Sequence, residues 1–157
     1  ADDIMTAIRI GREFDLDLTL EHCTEGHLVA EEIAEAGFSA AVGPSLTGRV
    51  KVELDEMDFK TAGILAKAGV KIALISDHPV TPVKNLLLYA ALAVKSGLEK
   101  EEALKAVTIN PAEILNISDR VGSIEEGKDA DLIVLNGDPL DFKSSVERVI
   151  INGEFIK

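Results

Sequence analysis

Hydrophobic and polar residues follow two different periods along the first three quarters of the chain. Residues 16–22 alternate leucine with polar side chains, which is the period-2 pattern of a strand, here ending at His22. Two short apolar runs, 38–42 and 70–75, are typical of strands buried in a parallel sheet. The pattern therefore predicts three strands in this part of the chain.

Around these strands, apolar residues recur every three or four positions, which predicts helices. The helical segments are approximately 4–11, 25–36, 59–66, 86–93 and 99–107. Gly37, Gly69 and Gly97 follow three of them and are expected to end them. The order αβαβαβα predicts three parallel strands that are neighbours in one sheet. Each crossover helix brings the chain back to the end of the sheet at which the previous strand began, so the next strand runs in the same direction.

A further helix is expected near the end of this region. Asn110 has the side chain of an N-cap residue, and Pro111 would then occupy the first helical position. Glu113 is spaced to reach back in the manner of a capping box. We therefore expect Asn110 to cap this helix.

The pattern changes at about Ser118. Two β-rich apolar runs, 129–135 and 146–151, are each followed by an Asn-Gly pair. We therefore divide the chain into an α/β region, residues 1–117, and a small C-terminal β unit, residues 118–157. A sheet of two or three strands is marginal alone, so this unit is expected to pack against something else.

Composition narrows the classes of protein. At 157 residues the chain is too short to close a complete (β/α)₈ barrel, which needs about 250. A net charge of -12 disfavours nucleic acid and anionic membrane surfaces as partners. The single cysteine, Cys23, cannot form an internal disulfide, and the sequence shows neither a membrane-length apolar run nor a leader. We therefore expect a cytoplasmic protein.

Metal-competent side chains stand at two predicted strand ends, in Glu-His-Cys-Thr-Glu-Gly-His (21–27) and Ser-Asp-His-Pro (76–79). In parallel sheets and barrels the reacting groups lie at the carboxyl ends of strands. The imidazole of His22 and the carboxylate of Asp77 could therefore converge on one cation. The alternatives are a hydrogen-bonded loop histidine and an aspartate that caps a helix or a turn.

Three neighbouring residues have weaker claims. His27 and His78 are candidate substrate contacts, but the first stands at a helix start and the second could simply orient its loop. Cys23 lacks the context of a Cys–His nucleophile pair, so we do not expect a catalytic thiol. An independent flavodoxin-like domain is a further alternative, although no GxGxxG or phosphate loop supports it.

A long ordered motif adds a family resemblance. Residues 108–117 read TINPAEILNI and residues 119–140 read DRVGSIEEGKDADLIVLNGDPL. Together they resemble the C-terminal signature of the metal-dependent amidohydrolase superfamily. With the two strand-end motifs, the whole chain resembles the C-terminal part of its imidazolonepropionase-like branch. The resemblance implies an α/β fold, a partial TIM-type barrel containing strands six to eight, plus a small C-terminal β unit of a composite sandwich.

The resemblance also implies roles. His22 matches a metal-site histidine at the end of the sixth strand, Gly43 ends the seventh, and Asp77 matches an aspartate at the end of the eighth. The family binds one or two divalent metal ions, usually zinc, and hydrolyses a non-peptide C–N bond of a cyclic amide or amidine with metal-activated water. Asp77 would accept a proton and later deliver it to the leaving nitrogen. On the long loop 43–55, the candidate substrate contacts are Ser45, Thr47 and Arg49.

The sequence also departs from the family. The His-x-His pair of the first strand and the metal residue of the fifth are not in this chain, which is expected to begin just past the latter. Alone, it should bind metal weakly and hydrolyse nothing measurably. Three barrel strands would leave two open edges, so we expect a homo-oligomer, or edges covered by rearranged elements. The alternative function is a non-catalytic barrel fragment that acts as a folding or association module.

Overall fold

The structure, a computed structural model, describes residues 1–48 and 51–156. Within these residues, six α-helices and three parallel strands form the first region, in the order α1 (Asp2–Glu13), β1 (Thr19–Leu20), α2 (Ala30–Ala36), β2 (Ser39–Val42), α3 (Lys60–Lys67), β3 (Ile72–Leu74), α4 (Leu86–Lys95), α5 (Lys100–Lys105) and α6 (Ile109–Ile114), with three short 3-10 turns between them. The predicted alternation of helices and strands is present. The sheet order is β1-β2-β3, so consecutive strands are neighbours.

The core of this region lies between the sheet and its helices. Leu20 of β1 pairs in register with Ala40 of β2, which pairs with Ile72 of β3. Ile33 of α2 and Leu65 of α3 are fully buried in the same cluster. Burying each of these large apolar side chains stabilises the fold by about 1.5–3 kcal/mol.

The first strand is shorter than the sequence pattern predicts. β1 contains only Thr19 and Leu20, while Leu16 follows the turn at the end of α1, and its N–H donates to the carbonyl of Gly11 over 2.9 Å. His22 has a φ of 63°, which is incompatible with a strand. The chain thus leaves the sheet before His22. The predicted helix 25–36 likewise begins with a 3-10 turn, Gly26–Val29, ahead of α2.

The prediction that Asn110 caps α6 is wrong. The helix begins at Ile109 after Thr108, and Pro111 is its third residue. Asn110 is buried, and its Nδ2 donates to the carbonyl oxygen of Ile72 over 2.9 Å. A buried strand carbonyl needs a donor, and this need outweighs the local capping preference. Glu113 is not a capping residue either, since its carboxylate pairs with Lys71 at 2.8 Å.

The same contact covers the outer edge of β3. Along this strand, alternate residues bond to β2, which leaves the carbonyl of Ile72 and the N–H of Leu74 facing the other way. Asn110 satisfies the first, and the carbonyl of Ala106 accepts from the second over 2.9 Å. Of the two expectations for the open edges, coverage by other elements of the chain is the one that β3 shows. Within the described residues, β1 pairs only with β2.

The C-terminal part forms a second sheet, antiparallel, from β4 (Leu132–Leu135), β5 (Val146–Ile151) and β6 (Glu154–Phe155). The turn Asn152-Gly153 has positive φ at both residues, as a tight hairpin requires. Leu140 packs against the first core, and Lys100 pairs with Asp138 across the two parts. No closed barrel forms within the described residues.

Candidate functional site

The candidate site lies at the carboxyl edge of the parallel sheet. His22 follows β1, Gly43 follows β2 and Asp77 follows β3. The N–H of Gly43 donates to the carbonyl of His22 over 2.9 Å, which holds the first two strand ends side by side. Backbones two strands apart are separated by about 9–10 Å, so His22 and Asp77 can meet only through their side chains, above the end of β2.

Gly43 directly follows β2, the strand that lies between them. Its φ is 141°, a conformation that favours glycine. A Cβ at this position would lie 2.1 Å from the carbonyl oxygen of Ile75, so any side chain would force the strand ends apart. The middle strand therefore ends without a side chain between its two neighbours.

His22 and Asp77 are in contact. The distance from His22 Nε2 to Asp77 Oδ2 is 3.4 Å, with side chains 55% and 41% exposed. Asp77, like His22, has a positive φ, at 47°. Such backbone conformations are uncommon for residues other than glycine and concentrate at functional sites. The structure thus brings together the two side chains that the strand-end motifs single out.

The pair fits one half of a metal site. Ligand atoms about 2.1 Å from a tetrahedral zinc ion are about 3.4 Å from each other, which matches the distance between His22 Nε2 and Asp77 Oδ2. Imidazole nitrogen and carboxylate oxygen are both ordinary zinc donors. In the described part of the chain, no group of three or more His, Cys, Asp or Glu side chains could hold an ion. Zinc usually takes three or four protein ligands, so two donors are insufficient.

A cleft of about 330 Å³ opens at this pair. It is lined by His22, Thr24, Pro44, Thr47, Lys51, Leu54, Asp77 and Val80. Of the candidate contacts on the long loop, Thr47 lines the cleft and Ser45 does not. Arg49 lies outside the described residues. A cleft of this size suits a small molecule.

His27 is not in the cleft. Its Nδ1 lies 2.9 Å from the hydroxyl of Thr61, a fully buried residue that also donates to the carbonyl of Thr24 over 3.3 Å. Because that bond uses the hydroxyl hydrogen, the network assigns the donated proton to His27 Nδ1. Burial, followed by the nearby charge of Lys60, lowers the pKa of His27 below its ordinary value. His27 therefore ties the segment that follows His22 to Thr61 on α3.

His78 and Cys23 are also outside the lining of the cleft. His78 is exposed. Cys23 is only 3% exposed, and burial raises the pKa of its thiol to about 11. A protonated, buried thiol is not a nucleophile at neutral pH. Nothing in this arrangement favours a catalytic role for Cys23.

Sequence reasoning missed three residues around the cleft. Lys51 lines it, while Thr81 and Tyr89 are buried behind its wall. Tyr89 is the only tyrosine of the chain and stands on an otherwise apolar helix face, which is the one signal that could have drawn attention to it. Buried tyrosine hydroxyls usually have hydrogen-bond partners.

Comparison with known proteins assigns the family. The amidohydrolase family pattern matches residues 10–156, so the chain belongs to the amidohydrolase family. It is 54% identical over 108 residues to an imidazolonepropionase of Kosmotoga olearia, covering 67% of this chain and 25% of that protein. It is 36% identical over 111 residues to an imidazolonepropionase of Thermoplasma volcanium, covering 66% of this chain and 27% of that protein.

A solved structure agrees with this assignment. An amidohydrolase from Thermotoga maritima MSB8 superposes on the whole chain with a TM-score of 0.95 and 49% sequence identity, and 41% of that chain is covered. The present chain thus spans only about a quarter to two fifths of these proteins. The predicted resemblance to part of an amidohydrolase is confirmed. None of the helices in residues 1–48 and 51–156 is long and apolar enough to cross a membrane.

Proposed function

We propose that the protein containing this chain hydrolyses a non-peptide C–N bond of a small cyclic amide or amidine, using a divalent metal ion, with zinc as the preferred ion. The observation that carries the proposal is the contact between His22 Nε2 and Asp77 Oδ2 at 3.4 Å, at the carboxyl edge of a parallel sheet. Similarity to two imidazolonepropionases supports the substrate class. The buried, unpaired Cys23 favours a reducing compartment such as the cytoplasm.

His22 and Asp77 would hold the metal ion through these two atoms, with further ligands from outside the described residues. When bound, a divalent cation lowers the pKa of water to about 7 and polarises a carbonyl group. The chain's own contribution is to fix one nitrogen and one oxygen donor at a constant separation. The Gly43 backbone holds the strand ends that carry them.

Asp77 would also move the proton. Its carboxylate faces the cleft and is partly open to solvent, so both an attacking water and the leaving group can reach it. One Oδ atom would accept the proton of the water as the new C–O bond forms, and would then deliver it to the leaving nitrogen as the C–N bond breaks. General acid–base transfer of this kind contributes about 10²–10⁴-fold to a rate.

The test uses the full-length protein loaded with zinc and a panel of cyclic amides and amidines that includes imidazolones. We expect His22→Ala to lower both zinc content and activity, and Asp77→Asn to lower kcat by at least about 100-fold. His78→Asn, on the exposed neighbour of Asp77, is the matched control and should retain the rate. Unchanged rates in the first two variants would contradict the assigned roles.

The 157-residue chain by itself should behave differently. With two donors at the described site, we expect it to bind zinc weakly and to hydrolyse none of the panel. Zinc titration in competition with a chelating dye measures the affinity. Tight binding of one ion by this chain, lost in Asp77→Asn, would show that its own residues complete the site.

Association of the chain is a second proposal. Phe142 and Ile124 are 83% and 85% exposed in the C-terminal part, and β1 has one paired edge within the described residues. Exposed apolar groups and unpaired edges promote association, so we expect a homo-oligomer in sedimentation. The alternative function, a non-catalytic folding or association module, shares this expectation but predicts no hydrolysis by the full-length protein.

A further inference from the structure

Two buried hydroxyl groups form a closed hydrogen-bond ring around the backbone of Leu46. The N–H of Leu46 donates to the Tyr89 hydroxyl over 2.7 Å, and the Thr81 hydroxyl donates to the Leu46 carbonyl over 3.2 Å. The two hydroxyl oxygens are 3.4 Å apart. Because the Thr81 hydrogen is already used, the Tyr89 hydroxyl is the donor of this third bond. Every hydrogen of the ring has a partner.

The ring fixes the loop from inside the protein. Tyr89 is 2% and Thr81 3% exposed, whereas the side chain of Leu46 is 41% exposed. The aromatic side chain of Tyr89 also packs edge-on against that of Phe59, with the centres of the two aromatic groups 6.2 Å apart. Both polar groups of the Leu46 backbone therefore bond to side chains of the protein.

The two segments that the ring joins both line the cleft. Leu46 stands between Pro44 and Thr47 in the chain, and both of these residues line the cleft. Thr81 directly follows Val80, which lines the cleft together with Asp77. The turn that carries Asp77 is itself closed by a 2.7 Å bond from the Val80 N–H to the Asp77 carbonyl. The ring thus ties the loop that carries Thr47 to the segment that follows the Asp77 turn.

We propose that Tyr89 and Thr81 are positioning residues that set the width of the substrate cleft and so determine which small substrates fit it. The proposal rests on the proposed function, since it assigns the cleft to a substrate. Neither residue lines the cleft, so neither is a catalytic residue. Their effect passes through the backbone of Leu46.

The test compares Tyr89→Phe, Thr81→Val and Thr81→Ser in the full-length enzyme. Removing a buried hydroxyl should raise KM by about tenfold with kcat within about twofold, because the Leu46 loop moves while the Asp77 turn is still closed by its own bond from Val80. Thr81→Ser keeps the hydroxyl and should restore KM. Thr108→Val is the control, since Thr108 also donates to a backbone carbonyl, that of Leu104, but away from the cleft.

Hydrogen exchange supplies a readout that needs no substrate. In Tyr89→Phe the Leu46 amide should exchange at least about tenfold faster, because its acceptor is gone. Unchanged exchange overturns the proposal, as does a lowered melting temperature with unchanged KM, which marks a merely structural role. If no compound is hydrolysed, the proposed function fails, while Leu46 exchange still decides whether the ring fixes the loop.

Discussion

The two parts of the chain differ in how their geometry is fixed. Every residue that the structure describes as buried lies in residues 1–117, among them Ile33 at 0% exposure. No described residue from 118 to 156 is buried, and Ile133 on β4 is 50% exposed. The first part is stabilised by side-chain packing. The second is held mainly by hydrogen bonds between its strands, and a sheet this small is stable only when another element packs against it. The candidate site lies wholly on the packed part, which can hold two side chains at a constant distance.

The largest expected effect on stability comes from replacing an isoleucine in each of the two parts. Ile33→Ala should lower the free energy of unfolding by about 2–5 kcal/mol, because it leaves a cavity in the core. Ile133→Ala should cost less than about 1 kcal/mol, since half of that side chain already contacts solvent. Urea unfolding of the 157-residue chain measures both. Equal losses would mean that the C-terminal sheet is covered in solution.

The next comparison asks whether tight packing extends to the site. Gly43→Ala should cost about 3 kcal/mol, because its Cβ would lie 2.1 Å from the Ile75 carbonyl oxygen. Gly37→Ala is the control: its φ is also positive, at 73°, but nothing lies within 4 Å of the added carbon. We expect about 1 kcal/mol there from the backbone conformation alone. If Gly43→Ala and Gly37→Ala lowered the free energy of unfolding equally, the strand ends at Gly43 could separate at no cost.

Two asparagines allow the hydrogen bonds of the two parts to be compared. Asn110→Ala removes the donor to the buried Ile72 carbonyl and should cost about 1–3 kcal/mol. Asn136→Ala removes bonds to Ser145 on the exposed C-terminal part, where water can replace them, and should cost less than about 1 kcal/mol. Urea midpoints of the two variants give the difference. A larger loss for Asn136→Ala would contradict the burial argument.

The smallest effect is the pH dependence that comes from histidine, and all three histidines of the chain lie in the packed part. The folded state lowers the pKa of His27 below 6.5, so the unfolded chain binds its proton more readily. Stability should therefore fall as pH falls from 6.5 towards the lowered pKa.

His27→Asn should flatten this slope, measured as urea midpoints between about pH 7.5 and about pH 5, whereas His78→Asn should keep it. The comparison isolates His27 because the other substitution lies on an exposed loop. A slope that is identical in the wild type and in His27→Asn would refute the assignment.

The features that local sequence patterns do not predict have one physical cause, since each depends on a contact with a distant segment. The capping pattern at Asn110 is local, but the carbonyl that this side chain satisfies lies 38 residues earlier, on β3. The alternation of 16–22 favours a longer β1, yet the chain turns at His22, whose side chain contacts Asp77 beyond the third strand. Tyr89 has no local motif at all, because its partners are Leu46 and Thr81 on other segments.

The order of helices and strands can be read from the amino-acid sequence, and so can the family and the two strand ends that carry His22 and Asp77. Periodicity and motifs are local properties, so they are visible along the chain. The 3.4 Å contact between these two side chains is not visible there, and neither is the cover that Asn110 and Ala106 give to the edge of β3. These depend on which distant segments pack together, because a buried polar group takes its partner from whatever the fold places beside it.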